Sequence, residues 1–271
     1  KSSILPLPTL VKKETSMNHT QTKLAFFDMD GVLSAPVFQN KEGQMVIGFS
    51  DESWRQHCVE HDENTYAHCR PLPIVYEYAK KLKEKYPELK VVLGNEIYLC
   101  RNGLNNENFV AGQDKYYHFI LLAKDAIGHQ QIREISTRAW MRSYMARGMR
   151  RVPTYYQDLV DIIRANPGHV IGSTACLGGA LPTQLMRWHD TRDDSLYEKI
   201  ITWCEQMSWI FGEENFFLEL QPSMSREQSL VNRYLLNIAR DHHYRYIITT
   251  DSHYLKKEDA SIHKAFLNSQ D

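Results

Sequence analysis

Tyr246-Ile247-Ile248-Thr249-Thr250-Asp251-Ser252-His253-Tyr254-Leu255 decides how this chain is read. A short β-rich apolar run carries an Asp and a His, two apart, to the end of a predicted strand. In α/β folds that end of a strand is where sites are built. Residues at i and i+2 point the same way from an extended backbone, so Asp251 and His253 can grip one hard or borderline metal ion.

Working outward, three more ligand types lie in comparable runs. Glu96 lies in Val91-Val92-Leu93-Gly94-Asn95-Glu96-Ile97-Tyr98-Leu99, and His118 near the start of Tyr116-Tyr117-His118-Phe119-Ile120-Leu121-Leu122-Ala123-Lys124. Cys176 lies in Val170-Ile171-Gly172-Ser173-Thr174-Ala175-Cys176-Leu177-Gly178-Gly179. Each has an ordinary reading alone. A Cys after an apolar strand is usually a packing residue, His118 fits a satisfied edge histidine, and Glu96 fits the solvent side of an alternating strand.

Taken in order with Phe216-Phe217-Leu218-Glu219-Leu220-Gln221, these runs resemble the PHP (polymerase and histidinol phosphatase) domain at the front of the bacterial DNA polymerase III alpha subunit. The resemblance spans residues 86–271. It implies a distorted (β/α) barrel with a multi-metal cleft at the strand ends, ligated by Glu96, His118, Cys176, Asp251 and His253, with Zn or Mn in the cleft. It also implies either a metal-dependent 3′–5′ exonuclease or a catalytically silent platform. DNA would be reached through the full-length polymerase, a nucleotidyltransferase, with other replisome subunits as partners. The family's opening His-x-His strand, its following Asp and its Thr-Asp-His stretch are missing here. His57, His61 and His68 are spaced for helix or loop, His57 and His61 sharing a helical face. With half of the ligands absent, the expectation is little or no hydrolysis, and a barrel incomplete on its N-terminal side.

The front of the chain resembles something else. Lys23-Leu24-Ala25-Phe26-Phe27-Asp28-Met29-Asp30-Gly31-Val32-Leu33 is similar to the first motif of the haloacid dehalogenase (HAD) phosphatases. That resemblance implies Asp28 as nucleophile and Mg²⁺ ligand and Asp30 as general acid and base. The stretch to about residue 78 fits a small cap packed through Trp54, Cys58, Tyr66 and Cys69. The later HAD motifs are absent, and Asp193-Asp194 reads as a helix cap. A third possibility is that Asp28 and Asp30 occupy the place of His-x-His and complete the PHP cleft with hard oxygen ligands, favouring Mn²⁺ or Mg²⁺. The expected division is a flexible leader over 1–21, a HAD-like segment over 22–85 with its small cap, and a PHP domain over 86–271. The join falls near 75–88, and the PHP portion stops before the polymerase core. A non-catalytic structural module is the remaining alternative.

Composition sets the limits. The 271 residues are 42% hydrophobic and 24% charged, which places the chain in the soluble globular class. A formal net charge of -1 excludes a bulk basic field for DNA, so nucleic-acid contact must be local. The candidate is the basic run holding Arg147, Arg150 and Arg151. The five Cys form no C-x-x-C pair, and no apolar run is long enough to span a membrane. A cytoplasmic location is the expectation. Strands are predicted at 23–28, 89–99, 116–123, 169–173, 215–221 and 245–250. Helices are predicted at 51–60, 72–86, 127–145, 154–165, 179–188, 195–211, 225–242 and 257–267. This alternation predicts a mostly parallel sheet or barrel. Ile127, Ile132, Ile135, Ala139 and Trp140 are expected on one packed helix face, and Leu230, Leu235, Leu236 and Ile238 on another.

Overall fold

The computed structural model describes residues 24–28, 34–39, 45–47, 69–71, 73–88, 90–100, 116–146, 149–223, 225–250 and 257–268. The helix expected at 51–60 lies outside them. The main sheet runs β1 (Leu24–Asp28), β5 (Lys90–Cys100), β6 (Tyr116–Ala123), β10 (Val170–Ser173), β11 (Phe216–Leu220) and β12 (Arg245–Ile248). A two-residue strand, β9 (Pro153–Thr154), also pairs with β5. The first half of β5 lies beside β1 and its second half beside β9, while its other edge is held by β6. Among the described residues no pairing joins β1 to β12. Three short strands, β2 (Ser34–Gln39), β3 (Met45–Ile47) and β4 (Cys69–Pro71), form a separate antiparallel sheet. Two more, β7 (Tyr144–Ala146) and β8 (Met149–Arg151), form a hairpin.

The sheet departs from the mostly parallel expectation at one strand. β1–β5, β10–β11 and β11–β12 are parallel, but β6 runs antiparallel to both β5 and β10. The start of β6 therefore shares an end of the sheet with the C-terminal ends of β5 and β10. A strand start and two strand ends can thus meet in one place.

Side-chain alternation divides the sheet into two faces. Ile97, Leu99, Phe119 and Leu121 are buried in the core with Val170, Phe216 and Leu218. Helices cover that face through Ile132, Ile135, Leu181, Leu185, Ile200, Ile210, Phe211 and Leu235. Glu96, Tyr98 and His118 alternate with the buried set and lie on the other face.

Two helix faces differ from expectation. In Ala126–Met141, Ile132, Ile135, Ala139 and Trp140 are buried but Ile127 is exposed. A five-residue step turns a helix by about 140° from Ile127 to Ile132, too far for one face. In Arg226–Asp241, Val231, Leu235 and Ile238 form the buried stripe, Leu230 is half-buried, and Leu236 points outward. The helix expected at 154–165 is α-helical over Tyr156–Leu159 and widens to a π-helix over Val160–Arg164. The buried Gln131 side-chain amide donates to the carbonyls of Ile162 and Asn166, both at 2.8 Å, and so helps hold the wider turn. The helix expected to reach residue 145 stops at Met141, so Arg150 and Arg151 belong to the β7–β8 hairpin. Asp193 caps its helix as expected, accepting from the Ser195 N–H at 3.0 Å.

Candidate metal centre

Antiparallel pairing sets His118 directly opposite Tyr98, and Glu96 opposite Ile120. Glu96 and His118 are therefore diagonal neighbours on one face, within reach of long side chains. His118 Nδ1 lies 2.9 Å from Glu96 Oε1. The same nitrogen lies 3.4 Å from Cys176 Sγ. A carboxylate, an imidazole and a thiol from three sequence-distant runs thus converge on one atom.

Cys176 reaches this point through the turn that leaves β10. The Gly179 N–H donates to the Cys176 carbonyl at 2.9 Å, and the His118 N–H donates to the Gly178 carbonyl at 3.1 Å. The loop is thereby hydrogen-bonded to the start of β6. Ala175 has a φ of 58°, the left-handed region that non-glycine residues seldom occupy. Such backbone strain persists where neighbouring contacts impose it. Here the Thr174 N–H donates to the Phe217 carbonyl at 3.3 Å.

Hydrogen bonding to Cys176 and then to Glu96 pushes the His118 pKa up to about 10, against the opposing effect of burial. An imidazolium is thus held between two acidic groups. A metal ion would have to displace that proton. The donor set of carboxylate oxygen, imidazole nitrogen and sulfur suits a borderline ion of the zinc type. Ligand atoms around a tetrahedral zinc sit roughly 3.3–3.6 Å apart, so the two contacts need little opening. Among the described residues no group of three His, Cys, Asp or Glu side chains is placed to hold a metal ion.

Asp251, His253, Asp30 and Arg147 lie outside the described residues. So do the side chains of Asp28 and of the expected cap residues Trp54, Cys58, Tyr66 and Cys69. The backbone of Asp28 is paired with Gly94, two residues before Glu96 on the neighbouring parallel strand. The segment read as HAD-like therefore supplies a strand to the main sheet. Arg150 donates to Ser143 Oγ at 3.3 Å, so part of its guanidinium is turned to the protein.

A buried network that the sequence reading did not identify ties the same strand ends together. Glu219, 5% exposed, accepts from the Ser173 hydroxyl, the Thr249 hydroxyl and the Gln221 side-chain amide. Its own N–H donates to Thr174 Oγ1 at 2.8 Å. One carboxylate thus links β10, β11 and the exit of β12. The signal was the Glu within the apolar run Phe216–Leu220, since a buried carboxylate demands partners.

The PHP domain model matches residues 19–223, more than half of the chain. That match takes in the Phe26–Leu33 run as well as Glu96, His118 and Cys176. A probable DNA polymerase of Bacillus subtilis, YorL, is 38% identical over 217 residues, covering 76% of this chain and 16% of the relative. The DNA polymerase III alpha subunit of Thermus aquaticus is 31% identical over 185 residues, 67% of this chain and 14% of the relative. That of Aquifex aeolicus is 29% identical over 202 residues, 72% and 16% respectively. The chain spans about a sixth of the length of these relatives. No helix among the described residues is long and apolar enough to cross a membrane. The sheet, the ordered ligand runs and the extent of the match agree: this chain belongs to the PHP domain family.

Proposed function

We propose that this chain is the PHP portion of a replicative polymerase of the DNA polymerase III alpha type, and that its cleft holds a divalent ion, Zn or Mn, through Glu96, His118, Cys176, Asp251 and His253. The observation that carries this reading is the convergence of Glu96 and Cys176 on His118 Nδ1. PHP domains generally bind divalent metals. When bound, such an ion lowers the pKa of a water and polarises a phosphodiester. The chain's own residues orient that chemistry: β5 and β6 present the carboxylate and imidazole on one face, and the turn after β10 brings the sulfur. Asp28 ends the opening strand β1, and the sequence has no His-x-His at its start, the pair the family carries in its first strand. With that pair and other family ligands replaced, hydrolysis is weak or absent and the domain serves mainly as a platform within the polymerase. Arg150 and Arg151 lie on the hairpin leading into β9.

The test is metal content by mass spectrometry on purified, folded protein, beside an Asp251→Ala/His253→Ala double variant. At least one Zn or Mn per chain, lost in the variant, is the expected result. A folded parent protein without metal would reject the centre.

A further inference from the structure

Tyr98 is a large aromatic side chain left 46% exposed beside the Glu96–His118–Cys176 cluster. It follows Glu96 by two residues and so shares its face of β5. Directly across the ladder, its ring meets the His118 ring edge to face, with centroids 5.3 Å apart and planes at 87°. On its other side Tyr98 pairs with Pro153 of β9, two residues after Arg151. The short β9 strand therefore draws the basic hairpin to Tyr98.

Resting on the reading above, we propose that Tyr98 and Arg151 receive one nucleotide of a single-stranded nucleic acid beside the centre: the tyrosine ring stacks on its base and the guanidinium pairs with its phosphate. An aromatic ring offers every base a stacking partner without reading its identity. An Arg supplies a planar fork of donors suited to phosphate. With a net charge of -1, the chain has no bulk field to hold a polyanion, so affinity must come from such local contacts. The location also has a chemical logic. A nucleotide held by Tyr98 has its phosphodiester next to the residues that would carry the ion.

The experiment is fluorescence anisotropy with a short fluorescein-labelled oligothymidylate, with bound metal measured on the same samples. Tyr98→Ala is expected to weaken binding about tenfold, while Tyr98→Phe and Tyr98→Trp keep it within about twofold. Arg151→Ala is expected to weaken binding and to reduce the salt slope by about one. Parent protein that does not bind, or Tyr98→Ala that binds equally well, overturns the proposal. A chain without metal whose oligonucleotide binding still depends on Tyr98 supports this inference and rejects the metal centre. A chain with metal and unchanged binding in Tyr98→Ala does the reverse.

Discussion

A β-carbon on Gly179 would lie 2.1 Å from the carbonyl oxygen of Thr174. Backbone cannot yield there as a flexible side chain would, so the turn that presents Cys176 requires glycine at this position. The neighbouring Gly178 differs, because a β-carbon there would meet the His118 ring at 3.4 Å, an ordinary contact. Gly179→Ala is expected to cost about 2–3 kcal/mol and to draw Cys176 away from His118, with loss of bound metal. Gly178→Ala is expected to stay within about 1 kcal/mol and to keep the metal. Urea denaturation and metal analysis of the pair check this, and equal behaviour of the two variants would refute it.

Glu219→Leu would leave the Ser173 hydroxyl, the Thr249 hydroxyl and the Gln221 amide without their shared acceptor. Unsatisfied buried groups cost about 1–3 kcal/mol each, and partial rearrangement of the hydroxyls lowers the sum. A loss of about 3 kcal/mol is expected, with Glu219→Gln losing less. Thermal or chemical denaturation measures it. A Glu219→Leu protein as stable as the parent would show that the network does not hold the strand ends.

The pH response follows from His118. In the metal-free protein its pKa is raised from 6.5 to about 10, so the folded state favours the imidazolium. The stability this contributes is fully present below pH 6.5 and is lost as pH rises through about 10. Metal uptake near neutral pH must expel that proton, so affinity is expected to rise with pH. Zinc titration calorimetry in buffers of different ionisation enthalpy reads the proton release directly. The same apparent heat in every buffer would contradict the prediction.

Asp193 provides a control for the acidic pair Asp193-Asp194. Its carboxylate is held below the usual range, first by its hydrogen bond with Ser195, and it caps the helix Asp194–Phe211. Asp193→Ala is expected to lower the denaturation midpoint less than Glu219→Leu does, leaving bound metal unchanged. Loss of metal in this variant would assign the pair a role beyond capping.

Glu96, His118 and Cys176 stood out only through the resemblance, since each alone had an ordinary reading, whereas the caps at Asp193 and Ser225 were legible from their place before a helix. Ile127 and Leu236 were misplaced because membership of an apolar set is not the same as angular position on a helix. β7 and β8 were missed because a three-residue strand carries too little periodicity to register. Glu219 was quoted for its motif but given no role, since its partners are 46 residues before it and 30 after it.

The sequence by itself determined the order of the main strands and helices, because alternation and capping are local properties. Tertiary structure alone decided that β6 is inverted, which brings the start of one strand to the ends of its neighbours. It also decided that β9 lies beside Tyr98, and that one buried carboxylate joins three strands. Those outcomes depend on pairing between distant segments, where hydrogen bonding and burial are satisfied jointly rather than residue by residue.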